Sequence, residues 1–292
     1  MAQLVQLLGL PFLACLLMNG ILGYLGIHVL KREVIFIDIA LAQVAAVGAI
    51  AAHVAFGAHG ESAAANACAF GSVLLAAAFY SVVRKRVAVI SLEAVIGVTY
   101  AIAAAGALFL VGVAPGGHVH VHQMLAGSIL WATWRDILWC LIVFGAVAVA
   151  LVLMRKPLRR ASEGYGGGHG TEARTAWWDF LFYGLLGVVI TLAVRMAGVV
   201  VVFAFLIIPA TVSALFAASW PRRLIIAWAT GVAGSTAGLL FARYLDFSVG
   251  PSIALFLGIA LVLAALVRRL RPVPPTAAPA ARGAPPPPEI PN

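Results

Sequence analysis

Charge is the scarcest property of this sequence. Asp, Glu, Lys and Arg together make up 10% of its 292 residues, against about 25% in soluble globular chains. With 63% hydrophobic residues and a mean hydropathy of +1.06, that deficit excludes a soluble globule and leaves a polytopic membrane protein. Cysteine is scarce too. Cys15, Cys68 and Cys140 each stand in a different apolar stretch with no paired spacing, which argues against a disulfide scaffold and leaves three small core residues. Enzyme signatures are missing as well: the chain has no GxxxxGK(S/T) phosphate loop, no HExxH and no GxSxG. A nucleotide-driven process would therefore need its phosphate site on another chain.

What the sequence does hold is a series of apolar runs. They fall at residues 4–30, 36–56, 63–83, 94–113, 137–154, 180–194, 198–218, 224–242 and 249–267, most of them long enough to cross a hydrocarbon layer of roughly 30 Å at 1.5 Å per residue. This predicts an all-α polytopic fold with eight to nine transmembrane helices. The first run lacks a basic leader and a small-residue cleavage site, so it reads as a retained helix, interrupted at Asn19-Gly20. Lys and Arg number 19 against 10 Asp and Glu, a formal net charge of +9, but they sit in clusters between the runs: Lys31-Arg32, Arg84-Lys85-Arg86, 155–160, Arg222-Arg223 and 268–271. That placement excludes a nucleic-acid surface. With nine crossings all five clusters share one side, which the positive-inside rule makes cytoplasmic.

Two segments are not membrane. Residues 157–175 are glycine-rich and charged and read as a flexible cytoplasmic loop able to meet a partner. Residues 272–292 form a Pro/Ala tail that cannot bury a core, so the chain divides into a membrane domain over 1–271 and this tail.

The most informative run is 195–211, RMAGVVVVFAFLIIPAT. Pro209 cannot donate a backbone N–H and crowds the preceding turn, which predicts a kink or break inside an apolar helix. Broken membrane helices line transport pathways.

Ionisable groups in or beside the runs are costly in hydrocarbon and hence informative. Asp38, in IFIDIALAQ, reads either as a pathway carboxylate or as a helix-start cap; Gln43, about 140° round an ideal helix from it, does not share its face. Glu93, in SLEAVIGV, reads either as a cation ligand or as a first-turn acid favoured by the helix dipole. Asp246 opens a turn before Gly250-Pro251, as a gate or as a turn former. Arg195 reads as snorkelling to the outer interface. His118, His120 and His122 alternate in GGHVHVHQ, so in extended chain they share a face and can collect a borderline metal, sense pH, or lie solvated. His28, His53, His59 and His169 are isolated and read as surface or interface residues.

The segments IFIDIALAQVAAVGA, SLEAVIGV, MLAGSILW, AGVVVVFAFLIIPAT and YLDFSVGPSIAL, in this order and spacing, resemble the membrane permeases of the bacterial ABC-3 family, importers of zinc, manganese and iron. The resemblance covers about residues 5–268. It implies a type II, vitamin-B12-permease-like helical fold in the bacterial inner membrane and a permease homodimer docked on separate ATP-binding-cassette ATPase subunits. It further implies an extracytoplasmic metal-binding protein that feeds the permease, and a divalent metal as cargo with no other cofactor. The common second-span motif of that family places a histidine four residues after an aspartate. Here Gln43 falls at the histidine position and Asp38 one place before the usual aspartate, and an amide oxygen is a weaker, harder ligand than imidazole. The residues implied to meet metal are Asp38, Gln43, Glu93, Asp246, His118, His120 and His122. An ion-coupled secondary transporter is the alternative from the residues alone, although no internal repeat supports it. A membrane enzyme would need its catalytic groups at one depth, and these carboxylates are spread between the two sides.

Overall fold

This computed structural model describes residues 2–56, 62–86, 90–113, 129–163 and 173–270. Among them there are no strands. The helices are α1 (Ala2–Lys31), α2 (Ile37–Phe56), α3 (Ala63–Arg86), α4 (Leu92–Val113), α5 (Trp134–Leu153), α6 (Arg155–Glu163), α7 (Ala173–Ala197), α8 (Val199–Phe216), α9 (Trp220–Leu245) and α10 (Val249–Leu270). All but the short α6 are long and apolar enough to cross a membrane, nine candidate spans in the described residues. The expected eight to nine crossings and the all-α architecture are therefore observed.

Cross-chain contacts fix which ends lie together. The C-termini of α1 and α3 meet the N-termini of α7 and α9 through Arg32, Arg84, Asp179 and Trp220. At the opposite end Arg195 of α7 meets Asn66 of α3. The basic clusters carried by α1, α3, α6 and α9 thus gather at one end, as an alternating series of nine crossings requires.

Helices α1, α2, α7 and α8 form the centre, with Met18, Leu22, Leu41, Phe182, Tyr183 and Phe205 fully buried. The outer helices α4, α5, α9 and α10 turn large apolar side chains outward, among them Phe109, Leu153, Val262 and Leu270. In water such a surface would be a liability; in lipid it is the solvent-matched face. Because lipid gives apolar helices no hydrophobic reason to associate, close backbone approach has to do it. Gly26 of α1 lies so near the Leu206 carbonyl of α8 that a Cβ there would overlap it, and Gly48 of α2 stands in the same relation to Ser72 and the Cys68 carbonyl of α3.

Three local expectations are corrected. Helix α8 continues from Val199 to Phe216 through Pro209 without a break, although that proline leaves the Phe205 carbonyl one turn back without its helical N–H. The break falls earlier, at Gly198, whose φ of 85° separates α7 from α8 and suits a residue without Cβ. Asn19-Gly20 does not interrupt α1 either: the Asn19 amide donates to the Trp228 carbonyl at 3.0 Å, and the Trp228 indole returns a bond to Gly20 at 3.1 Å, so the polar residue is an α1–α9 clasp. Residues 157–163 of the supposed cytoplasmic loop are helical, the greater part of α6, which buries Leu158 and Ser162, one turn apart on one face.

Candidate functional site

The first turn of α2 carries the candidate carboxylate. Helix α1 ends at Lys31, and Glu33 takes a left-handed φ of 53°, so the chain reverses within a few residues before Ile37 starts α2. Asp38 is 1% exposed, and neither carboxylate oxygen takes a hydrogen bond from another element. A buried carboxylate without such partners is expensive when ionised, and a cation is the natural compensator. Gln43 is also buried, further along α2.

Glu93 comes to the same end of the bundle from α4. Its two oxygens accept from the backbone N–H groups of Ile35 at 3.0 Å and Phe36 at 3.2 Å. Helices α2 and α4 run parallel, with Ile50 near the end of one packed on Ala107 and Val111 near the end of the other, so their N-termini lie side by side. Asp38 and Glu93 are thereby brought together.

Asp246 is not part of this group. It is exposed, adopts φ 57° and ψ 37° as the left-handed C-cap of α9, and its N–H bonds the Ala242 carbonyl. It lies at the far end of the bundle from Trp220, where α9 begins. His118, His120 and His122 lie outside the described residues, as do His59, His169 and the tail from 272. Among the described residues no three His, Cys, Asp or Glu side chains converge as a ready-made cation cage. Arg195 does more than snorkel: it bonds the Asn66 side chain at the polar edge of a cavity of about 30 Å³ floored by Ala42, Ala45, Ala46 and Ala49 of α2.

Sequence reasoning missed a second buried polar assembly at the basic end. Asp179 of α7 receives Arg32 at 2.6 Å and Arg84 on its other oxygen. The Arg32 guanidinium lies 4.2 Å from the Phe182 ring centroid, and its Nε donates to Ser162 of α6 at 2.9 Å. His28 reaches the same Ser162 oxygen at 2.9 Å and is fully buried against Tyr24, Phe182 and Trp220, so it is an interface residue and not a surface one. Beside it, Trp220 donates its indole N–H to Glu163 at 2.9 Å while Lys31 and Arg159 approach its ring at 4.8 and 4.5 Å. The signal that marks Asp179 is present in the sequence: a lone aspartate in AWWDFLFYG, inside an apolar run, demands a partner. Helix α6 is thus seated on α1 and α9 by charge-assisted bonds and stacked rings, with Arg155, Lys156, Arg160 and Glu163 left exposed.

Comparison with known proteins agrees with this architecture. A solved structure, PsaBC from Streptococcus pneumoniae in complex with Fab, has the same fold at a TM-score of 0.71 and 20% identity, covering 90% of this chain and 93% of that one. Among curated proteins, a probable metal transport system membrane protein of Chlamydia muridarum is 26% identical over 180 residues, 61% of this chain. This chain spans 60% of that relative's length. The manganese import system permease protein ScaB of Streptococcus parasanguinis is 27% identical over 191 residues, 65% of this chain and 66% of its own. The model of the ABC 3 transport family matches residues 5–268, from the first of the nine spans into the last turn of α10, and so this chain is a member of the ABC 3 transport family.

Proposed function

We propose that this chain is the membrane-spanning permease subunit of an ATP-binding-cassette importer for a divalent metal ion, zinc, manganese or iron, in the bacterial plasma membrane. The family match across all nine spans carries the reading. The relatives named for metal and manganese transport support it, and the buried Asp38 carboxylate, which takes no hydrogen bond from another element, gives a passing cation something to bind. In this reading the chain hydrolyses no ATP itself. A separate ATPase docks on the basic face of α6 and the start of α9, around Trp220 to Arg223. A second copy of the permease completes the channel, and an extracytoplasmic metal-binding protein delivers the ion. The histidines at 118, 120 and 122 act as a funnel that raises local metal concentration, an effect on rate.

The deciding measurement is uptake of radioactive Zn(II), Mn(II) and Fe(II) into proteoliposomes holding the permease with its ATPase, with the binding protein and metal supplied outside. ATP-dependent accumulation of one of them is the expected result. Accumulation driven by a proton or sodium gradient without ATP, or ATP hydrolysis by the purified permease alone, would overturn it.

A further inference from the structure

Glu93 and Asp38 are both acidic residues in the first turns of neighbouring parallel helices, yet they are bonded in opposite ways. Glu93 is not needed at its own helix start, because the Ser91 hydroxyl already accepts from the Ala94 N–H at 3.2 Å. Its carboxylate instead crosses to α2 and holds the N–H groups of Ile35 and Phe36. Phe36 is the residue that opens α2, since its carbonyl accepts the Ala40 N–H at 3.2 Å. In a capping box a glutamate in the first turn reaches back to the N-cap N–H of its own helix; here the same bond is made by a glutamate of a different helix. An acid at the positive end of α2 is also favoured by the helix dipole.

We infer that Glu93 is a positioning residue, an external cap that fixes where α2 starts and thereby frees the Asp38 carboxylate for the cargo ion, and that Glu93 is not itself a metal ligand. The inference rests on the proposed role of Asp38. Without Glu93, the donors at Ile35 and Phe36 would compete for the nearest carboxylate, and Asp38 is in the first turn of the same helix.

Cap and ligand make opposite demands on the side chain. A cap needs reach and an acceptor oxygen; a ligand to a divalent ion needs charge. Glu93→Gln keeps reach and one acceptor, whereas Glu93→Asp keeps the charge but is one methylene too short. The test is initial uptake of radioactive Mn(II) and Zn(II) by native host cells carrying each variant in the full-length gene, normalised to permease in the membrane, with Asp38→Asn alongside. The expected order is parental, then Glu93→Gln, then Glu93→Asp close to Glu93→Ala. The last two should lose about tenfold in maximal rate, the scale of a lost cap, and Glu93→Gln should keep its KM for the transported ion within about twofold. The reverse order, with Glu93→Asp the better variant and the KM of Glu93→Gln raised, overturns the inference and makes Glu93 a ligand. If Asp38→Asn transports at the parental rate, the role of Asp38 falls while the Gln-over-Asp order at 93 still identifies the cap.

Discussion

Arg32 and Asp179 stand 147 residues apart in the chain and 2.6 Å apart in the fold, with 0% and 2% of their side chains exposed. Asp179 gives its second oxygen to Arg84, so a single carboxylate ties the ends of α1 and α3 to the start of α7. Asp179→Asn preserves shape but removes the negative charge that faces a fully buried guanidinium, which should cost about 3–5 kcal/mol. Arg84 is 17% exposed at its side chain, and Arg84→Ala should cost less because Arg32 still neutralises Asp179. Thermal unfolding of the detergent-solubilised chain measures both. Equal melting of Asp179→Asn and the parent would show that the assembly contributes nothing to stability.

Much of the architecture is legible in the residues, for a physical reason. A membrane span has to satisfy its backbone internally and match the bilayer, so length and apolarity alone announce it; the runs at 36–56 and 249–267 agree with α2 and α10 to within a few residues. What is not legible is which polar residue meets which. Arg32 reads as a cytoplasmic basic marker, yet it is buried because Asp179 lies opposite, and nothing local to either residue reports that contact. Pro209 reads as a breaker, yet α8 is helical on both sides of it. Asp246, Glu93 and Asp38 look alike as acids near span ends. Only the backbone around them separates a left-handed C-cap, a cap for another helix and a carboxylate left without such work.

Close packing of α1 on α8 depends on Gly26. A methyl group there meets the Leu206 carbonyl, which cannot move without disturbing α8, so Gly26→Ala should destabilise by about 1–3 kcal/mol. Gly106 of α4 has nothing within 4 Å of the corresponding position, and Gly106→Ala should be neutral or stabilise by up to about 1 kcal/mol through its better helix propensity. Paired melting curves check the contrast. Similar losses in both would refer the effect to glycine content and not to the α1–α8 contact.

Glu163 couples the seat of α6 to pH. The Trp220 indole N–H, foremost, and the nearby Lys31 and Arg159 favour its ionised form and hold its carboxyl below the ordinary value of 4.5. A carboxyl depressed in the folded protein adds stability that is complete above its unfolded value and is lost as pH falls through the folded one. Since the side chain is 53% exposed, solvent screens the gain to about 1 kcal/mol or less. The α6–α9 contact should therefore be indifferent to pH from 7 to about 5 and loosen below about 4.5. Fluorescence of Trp220, read as the difference between the parent and Trp220→Phe, reports it; Glu163→Gln should remove the acid transition, and an unchanged transition in that variant would assign it to another group.

Asp38 and Gln43 should separate by magnitude. Asp38→Asn keeps volume and hydrogen-bonding capacity in the first turn of α2, so the chain should still reach the membrane and hold its partners. It removes the only property a divalent ion requires of that buried position, its negative charge, and uptake should fall about 100-fold or more, on the scale of a lost charge-assisted contact. Gln43 lies five positions on, on a different azimuth of α2, and offers a neutral amide. Gln43→Ala therefore removes at most one neutral interaction with the ion or its water shell, and uptake should fall only about three- to tenfold. Both variants are read against parental uptake at saturating Mn(II) and Zn(II), with membrane abundance held equal. Loss of transport in Gln43→Ala as complete as in Asp38→Asn would mean that the ion is held jointly by the two side chains and that α2 must turn or bend in transit to bring them to one face.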